Sequence, residues 1–264
     1  MDFFRCIGTM DQRIKAVSPG VNLNSPNEEI RMKKIVFPAF ALCLSMLTPA
    51  SALAASTHED LQDRVDAAKL VLDQILTTPD NTIPLNILNM ARCVAVIPSL
   101  KKGAFLVGAE YGRGLVTCRT GHGWSAPAFI TLAGGSFGFQ AGGQATDLVL
   151  VAVNDHGFQD LLKSKFKLGG DVAASAGPVG RNSQAATDWK MSAELLTYSR
   201  SKGLFAGVDL NGVSVTQSTD DTETYYGVAH SFESILKGDV AVPDGAVAFV
   251  RTVAHAFLDA KANH

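Results

Sequence analysis

Cysteine, tryptophan and net charge are all scarce in this chain, and each scarcity closes a route. Four cysteines and two tryptophans are spread over 264 residues, and only Cys93 and Cys118 lie beyond residue 54. That is too few for a disulfide-dense scaffold. No Cys-x-x-Cys pair occurs and no histidine stands at ligand spacing near either thiol, so a zinc site or other metal centre is not supported. The formal charge of −2 argues against nonspecific nucleic-acid binding. No phosphate-loop motif ending in Gly-Lys-Ser/Thr is present, and no dinucleotide glycine fingerprint follows a strand, so no nucleotide or other cofactor is implied.

What is present begins with an export signal. Met32-Lys33-Lys34 leads into the 13 apolar-rich residues Ile35 to Leu47 and then into Ala50-Ser51-Ala52-Leu53-Ala54-Ala55. These are the basic, apolar and small-residue parts of a secretory signal, here residues 32–54. The apolar part is shorter than the roughly 20 residues of a spanning helix. Two cleavage patterns fit, giving a mature start at Leu53 or Ala55, the second preferred. The expected location is periplasmic or peripheral to the cell envelope. Residues 1–31, of mixed charge with Pro19 and Pro26, read as an upstream extension ahead of a true start at Met32, or as a disordered leader.

Residues 55–264 are enough for one domain with a substantial core. They carry 17 Lys and Arg against 21 Asp and Glu, a formal charge of −4. In an oxidising compartment two cysteines pair more often than they stay free, so a Cys93–Cys118 disulfide is expected, the alternative being two buried thiols.

Helical spacing of Leu61, Val65, Ala68, Leu72 and Ile75 predicts a first helix, opened by a capping box at Ser56-Thr57-His58-Glu59 and ended by Pro79. Its other face carries Asp63, Asp66, Asp73, Arg64 and Lys69. A short helix follows over Pro84 to Ala91. Strands are predicted over Val94–Ile97, Ala104–Glu110, Leu115–Arg119, Ala128–Leu132, Ser136–Ala141 and Leu148–Val153. Turns are read at Lys101-Lys102, Tyr111-Gly112-Arg113-Gly114 and Thr120-Gly121-His122-Gly123. A hairpin is predicted where Leu204, Ala206, Val208 and Leu210 enter Asn211-Gly212 and leave through Val213 and Val215. A helix is read over Asp155–Lys163, a loose Gly/Ala segment over Gly169–Asn182, and strand or helix over Met191–Tyr198. The last helix, from Pro243 to Ala260, has Val247, Val250, Ala254, Phe257 and Leu258 as its buried stripe. Together these read as an α+β fold: a glycine-punctuated, mainly antiparallel curved sheet or barrel-like β core with N-terminal and C-terminal helices packed on it.

No catalytic residues are assigned. There is no His-Glu-x-x-His, the histidines at 122, 156, 230 and 255 are scattered, and Asp220-Asp221 sits in a polar stretch read as a solvated loop. Lys101, Lys102, Arg113, Arg200 and Lys202 fall where loops would display them, with Lys163, Lys165 and Lys167 after the middle helix. A converging set of such groups suits phosphate or carboxylate headgroups, Arg offering two-pronged contacts. The plainer reading is that loops are polar anyway.

The stretch ARCVAVIPSLKKGAFLVGAEYGRGLVTCRTGHGWSAPAFITLAGGSFGFQAGGQATDLVLVAVN, followed by KFKLGGDVAASAGPVGR, YSRSKGLFAGVDLNGVSV and YYG, resembles the SYLF family of lipid-binding domains from Leu61 to about Phe257. The resemblance implies a non-enzymatic domain. Eukaryotic members look like phosphoinositide binders at membranes, fungal ones also binding actin, and bacterial members are exported. It places Arg200, Lys202, Gly203, Phe205 and Gly207 in the family's signature turn and Lys101 with Lys102 in its basic turn after the first strand. The chain departs from the eukaryotic pattern in the acidic outer face of its first helix. Export would also remove it from actin and, in a bacterium, from phosphoinositides. The expected partner is an anionic phospholipid or membrane surface; the alternatives are an envelope protein partner, or a cryptic hydrolase with a His and a carboxylate converging in space.

Overall fold

Helix α1, His58–Thr77, begins where two side chains close its open end. Thr57 Oγ1 accepts from the Asp60 N–H at 3.2 Å, and Asp60 Oδ2 accepts from the Thr57 N–H at 2.9 Å and from its hydroxyl at 2.8 Å. The capping box is therefore Thr57 with Asp60, one residue later than the sequence suggested, because Leu61 must fall on the buried face. Leu61, Val65, Ala68 and Leu72 are all buried, as the spacing requires.

This computed structural model describes residues 55–77, 83–105, 107–137, 142–178, 194–201, 204–207 and 210–262. Residues 1–54, 138–141 of the Ser136–Ala141 strand, 179–182 of the Gly169–Asn182 segment, Met191, Lys202, Val208, and the side chains of Ile75 and Leu258 lie outside the described set. After α1 come α2 (Leu85–Met90), β1 (Cys93–Phe105), β2 (Val107–Thr120), β3 (Gly123–Trp124), β4 (Ala128–Phe137) and β5 (Gly142–Ala152). Then follow α3 (Asp155–Leu161), β6 (Lys165–Lys167), β7 (Ala174–Ala176), β8 (Leu195–Ser201), β9 (Leu204–Gly207) and β10 (Ser214–Gln217). Helices α4 (Thr219–Tyr226), α5 (Phe232–Lys237) and, past a 3-10 turn at Asp244–Ala246, α6 (Val247–Ala262) complete the order.

The strands form one curved sheet in the order β6-β10-β4-β2-β1-β5-β8-β7, with β3 on β2 and β9 on β8. Every pairing is antiparallel except β7 with β8. The fold is α+β, and β1 lies near the middle with both faces buried. Val94 and Val96 join Leu115, Phe129 and Tyr198 under α1, α2 and α6; Ala95 and Ile97 join Val116, Ile130 and Leu150 on the inner side, closed by Leu161 of α3 and by Phe232, Ile235 and Leu236 of α5. Each fully buried large side chain contributes about 1.5–3 kcal/mol. The stripe of α6 is Phe249, Val253, Ala256 and Phe257; Val247, Val250 and Ala254 are only half-buried flanks.

Three local readings are corrected. Lys101-Lys102 and Tyr111 to Gly114 are strand, not turns, because β1 and β2 are long strands that pair through both places. The glycines there supply room instead: a Cβ at Gly112 would come 2.7 Å from Ile97 and Leu100 side-chain carbons, and one at Gly114 would come 2.3 Å from the Val96 carbonyl oxygen. The turn at Asn211-Gly212 exists, with Gly212 at φ +85° and the Val213 N–H donating to Leu210 O at 3.1 Å. It does not join a hairpin: β10 pairs with β4 and β6, while β9 pairs with β8. Asp220 and Asp221 lie in α4, not in a solvated loop. Met191 to Tyr198 resolves to strand from Leu195 onward.

Cys93 and Cys118 face each other across β1 and β2 and are joined by a disulfide, with both residues buried. Two tests follow from this packing. Gly114→Ala is expected to lower unfolding stability by about 2 kcal/mol, whereas Gly103→Ala, where an added Cβ meets nothing within 4 Å, stays within about 0.5 kcal/mol; urea unfolding curves read both. With its 25-residue separation, opening the disulfide by reductant or by a paired Cys→Ala change is expected to cost about 3 kcal/mol, seen as a lower urea midpoint.

Candidate functional site

The position of Lys101 depends on an interruption in β1. Its pairing with β2 shifts between Val96 and Lys101, and its pairing with β5 shifts between Ile97 and Leu100. Ser99 there has φ +53°, a conformation that costs energy in a non-glycine residue. Asp147 holds it: Oδ1 accepts from the Ser99 N–H at 3.1 Å, while Oδ2 accepts from Arg200 Nε at 3.1 Å and Nη2 at 2.7 Å. Arg200, expected as a headgroup ligand, is thus engaged in supporting the interruption.

Beyond it, Lys101 pairs with Tyr111 and so shares a sheet face with Tyr111, Arg113 and Leu115, the face that α1 covers. Lys102 pairs with Glu110 on the opposite face, Nζ to Oε1 3.0 Å. Of the five basic residues singled out in the sequence, Lys101 and Arg113 are brought together. Lys102 points away, Arg200 is bound to Asp147, and Lys202 lies outside the described residues.

Lys101 and Arg113 line an open cleft of about 490 Å³ between the start of α1 and the sheet. Ala55, Ser56, Asp60 and Arg64 form one wall; Pro98, Ser99, Lys101, Tyr111, Gly112 and Arg113 form the floor and the other wall. Tyr111 is 48% exposed and has Lys101 as its cross-strand partner and Arg113 two residues further along the same face. Arg113 Nη1 donates to Ser56 Oγ at 2.9 Å. A second groove of about 260 Å³ shares Tyr111 and Arg113 and runs toward Thr131, Gln217 and the first turn of α4. Asp60 is held below its ordinary pKa of 3.8, first by the Thr57 N–H, then by the Thr57 hydroxyl, with smaller help from Arg113 and Arg64 against desolvation. Its capping role is therefore intact above its ordinary value of 3.8 and is lost as pH falls through the lowered value that it has in the fold.

Sequence reasoning missed Arg64. It was counted on the solvent face of α1, yet Nη1 meets Asp221 Oδ2 at 2.7 Å with the two side chains 11% and 15% exposed, and its guanidinium lies 5.5 Å from the Phe129 ring centre. The missing signal was a helix over Thr219–Tyr226 to carry the partner. The string Gly134-Gly135-Ser136-Phe137-Gly138 has the spacing of a nucleophile elbow, which the sequence reading passed over. An elbow needs a strand-to-helix turn, and Gly134 to Phe137 run within β4. Neither cleft is lined by a histidine. Among the described residues no group of three His, Cys, Asp or Glu is placed to hold a metal, and no helix is long and apolar enough to cross a membrane.

Residues 133–256 match the family model Ysc84, described as Las17-binding protein actin regulator. Over 167 residues the chain is 36% identical to SH3 domain-containing YSC84-like protein 1 of Rattus norvegicus, a match covering 62% of this chain and 49% of that protein. Protein YSC84 of Saccharomyces cerevisiae is 35% identical over 176 residues, 65% of this chain and 37% of the yeast protein. LAS seventeen-binding protein 3 of the same species is 36% identical over 172 residues, 62% and 36% of the two chains. The chain thus spans half or less of these relatives' length. Lys101, Tyr111 and Arg113 precede the residues that the family model matches, whereas Arg200 and Asp221 fall within them.

The Arg64–Asp221 pair ties α1 to α4 beside the cleft. Removing one partner leaves the other charge shielded from water and uncompensated, so Arg64→Ala or Asp221→Ala is expected to cost about 3 kcal/mol. The double change is expected to cost clearly less than the two added together, which a double-mutant cycle in urea measures.

Proposed function

The chain carries a SYLF domain of the Ysc84 type, and on that premise we propose that it is a non-enzymatic binding domain that docks on anionic lipid headgroups of an envelope membrane after export. The observation that carries this reading is the half-exposed Tyr111 ring flanked by Lys101 and Arg113 on one open face. An amphipathic ring with cations on either side suits the boundary between headgroups and acyl chains, where tyrosine is favoured and basic groups meet phosphate. Near a negatively charged surface each Lys or Arg contributes about 1 kcal/mol, falling off within a Debye length. Two such contacts are modest, which suits reversible association. The acidic total does not oppose it, because the attraction is local.

A second reading is an interaction module for an envelope protein. It draws support from the relatives, one of which is named for binding LAS seventeen. It predicts capture of one protein by cross-linking from the Tyr111 face, unaffected by salt, with no affinity for vesicles.

Flotation with phosphatidylglycerol vesicles, against neutral ones and at low and high salt, separates the two. Salt-sensitive flotation with the anionic vesicles alone is expected. Lys101→Ala with Arg113→Ala is expected to weaken it roughly 30-fold, the equivalent of about 2 kcal/mol, whereas Lys102→Ala, on the other sheet face, leaves it unchanged. Equal losses from both variants, or no flotation at all, would sink the lipid reading.

A further inference from the structure

The residues that open the domain also wall its cleft. Ala55 and Ser56 line it alongside Lys101 and Arg113, and Ser56 is fastened to Arg113 by the 2.9 Å bond from Nη1 to Oγ. Just beyond, the mutual Thr57–Asp60 bonds and the buried Leu61 and Val65 fix where α1 starts. The preferred signal cleavage, after the small-residue pattern Ala52-x-Ala54, falls at the bond between Ala54 and Ala55. While that bond is intact the Ala55 nitrogen is a neutral amide. Once it is cut, the same nitrogen is an α-ammonium.

We propose that signal-peptide cleavage at Ala54–Ala55 completes the cleft, the new α-ammonium of Ala55 acting with Lys101 and Arg113 as a third cation for a phosphate headgroup. The inference rests on the headgroup reading above and adds to it: processing itself strengthens the binding site, after the chain has crossed the membrane. The charged and titratable groups that line the cleft together with Ala55 are Asp60 and Arg64 from α1, Lys101 from β1, and Tyr111 and Arg113 from β2. Asp60 already accepts two bonds from Thr57, and Arg64 is paired with Asp221. Asp60 keeps its negative charge in the cleft, and the cations left to meet an incoming phosphate are the ammonium, Lys101 and Arg113, the last also donating to Ser56.

The ammonium gives the cleft a titration that the other cations cannot. A free α-amino group titrates at about 7.7–8.0, well below Lys at about 10.4 and Arg above 12. Bound phosphate favours its charged form and raises that value. Affinity is thus full at pH 7 and declines as pH rises through the raised value, in a range where Lys101 and Arg113 stay charged. A phosphodiester headgroup does not change charge in this range, so the decline belongs to the protein.

The test uses the full chain, exported by its own signal, with its N-terminus read from the intact mass. Binding to phosphatidylglycerol vesicles is measured at pH 7 and pH 9 for the exported protein and for the same protein acetylated only at its α-amino group. Glycerophosphoglycerol as a soluble competitor distinguishes recognition of the free headgroup from a need for the lipid surface. The expected result is a chain beginning at Ala55 whose binding weakens about five-fold between the two pH values, while the acetylated form binds with that weaker affinity at both. A start other than Ala55, or binding indifferent to acetylation and to pH, overturns the inference. If binding still responds to Lys101→Ala with Arg113→Ala, the headgroup reading survives without it; if neither form binds, both fall together.

Discussion

A strand buried on both faces can show a side chain to solvent only beyond the core that covers it, and β1 is such a strand. Its first residues alternate between two hydrophobic cores, and its later residues carry Lys101 and Lys102 to opposite sides of the sheet. Between them the pleat is broken at Ser99, and the break persists because Asp147 accepts both the Ser99 amide and the Arg200 guanidinium. On the other side Gly112 and Gly114 leave space for Ile97, Leu100 and the Val96 carbonyl to press against β2. The cleft, the exposed ring of Tyr111 and the partnership of Lys101 with Arg113 all follow from that one irregularity. The placement of Lys101 in the cleft is here a consequence of core packing.

The parts of the fold that were legible in the sequence are those governed by a single local rule. The 3.6-residue spacing gives α1, and the Pro243-Asp244 start gives α6, although the buried stripe of α6 is rotated because Phe249 and Val253 outcompete Val247 and Val250 for the core. Glycine was misread where it serves two purposes. At Gly212 it adopts a positive φ and marks a turn, but at Gly112 and Gly114 it marks close contact within a strand, and the letters alone do not separate these uses. The Asn211-Gly212 hairpin failed for a related reason: the turn is local, while the choice of partner for β10 is made by β4 and β6. At the site, Lys101 and Arg113 could be named because basic residues stand out beside glycine. Arg64 could not, since its role requires Asp221, 157 residues away, to arrive on another helix.

The likeness to other proteins bears unevenly on this architecture. The matched family region includes the Arg200 that braces β1 and the Asp221 that anchors α1, but begins after the strands that carry the cleft cations. The bracing residues Arg200 and Asp221 and the cleft cations Lys101 and Arg113 therefore lie on different stretches of chain. A domain built this way can keep its frame while the exposed residues at positions such as 101, 111 and 113 change.

The bond between Cys93 and Cys118 has a topological result apart from its effect on unfolding. It joins the first residue of β1 to a position near the end of β2, so the intervening 25-residue separation becomes a closed covalent ring. A protease cutting at any single point within that ring would free two new chain ends but release no fragment: the two pieces would stay tethered through sulfur and would still be held by the sheet. The damage would be invisible on a non-reducing gel and would appear as two bands once reductant was added. The stretch that carries Lys101, Tyr111 and Arg113 can thus be nicked without releasing a fragment.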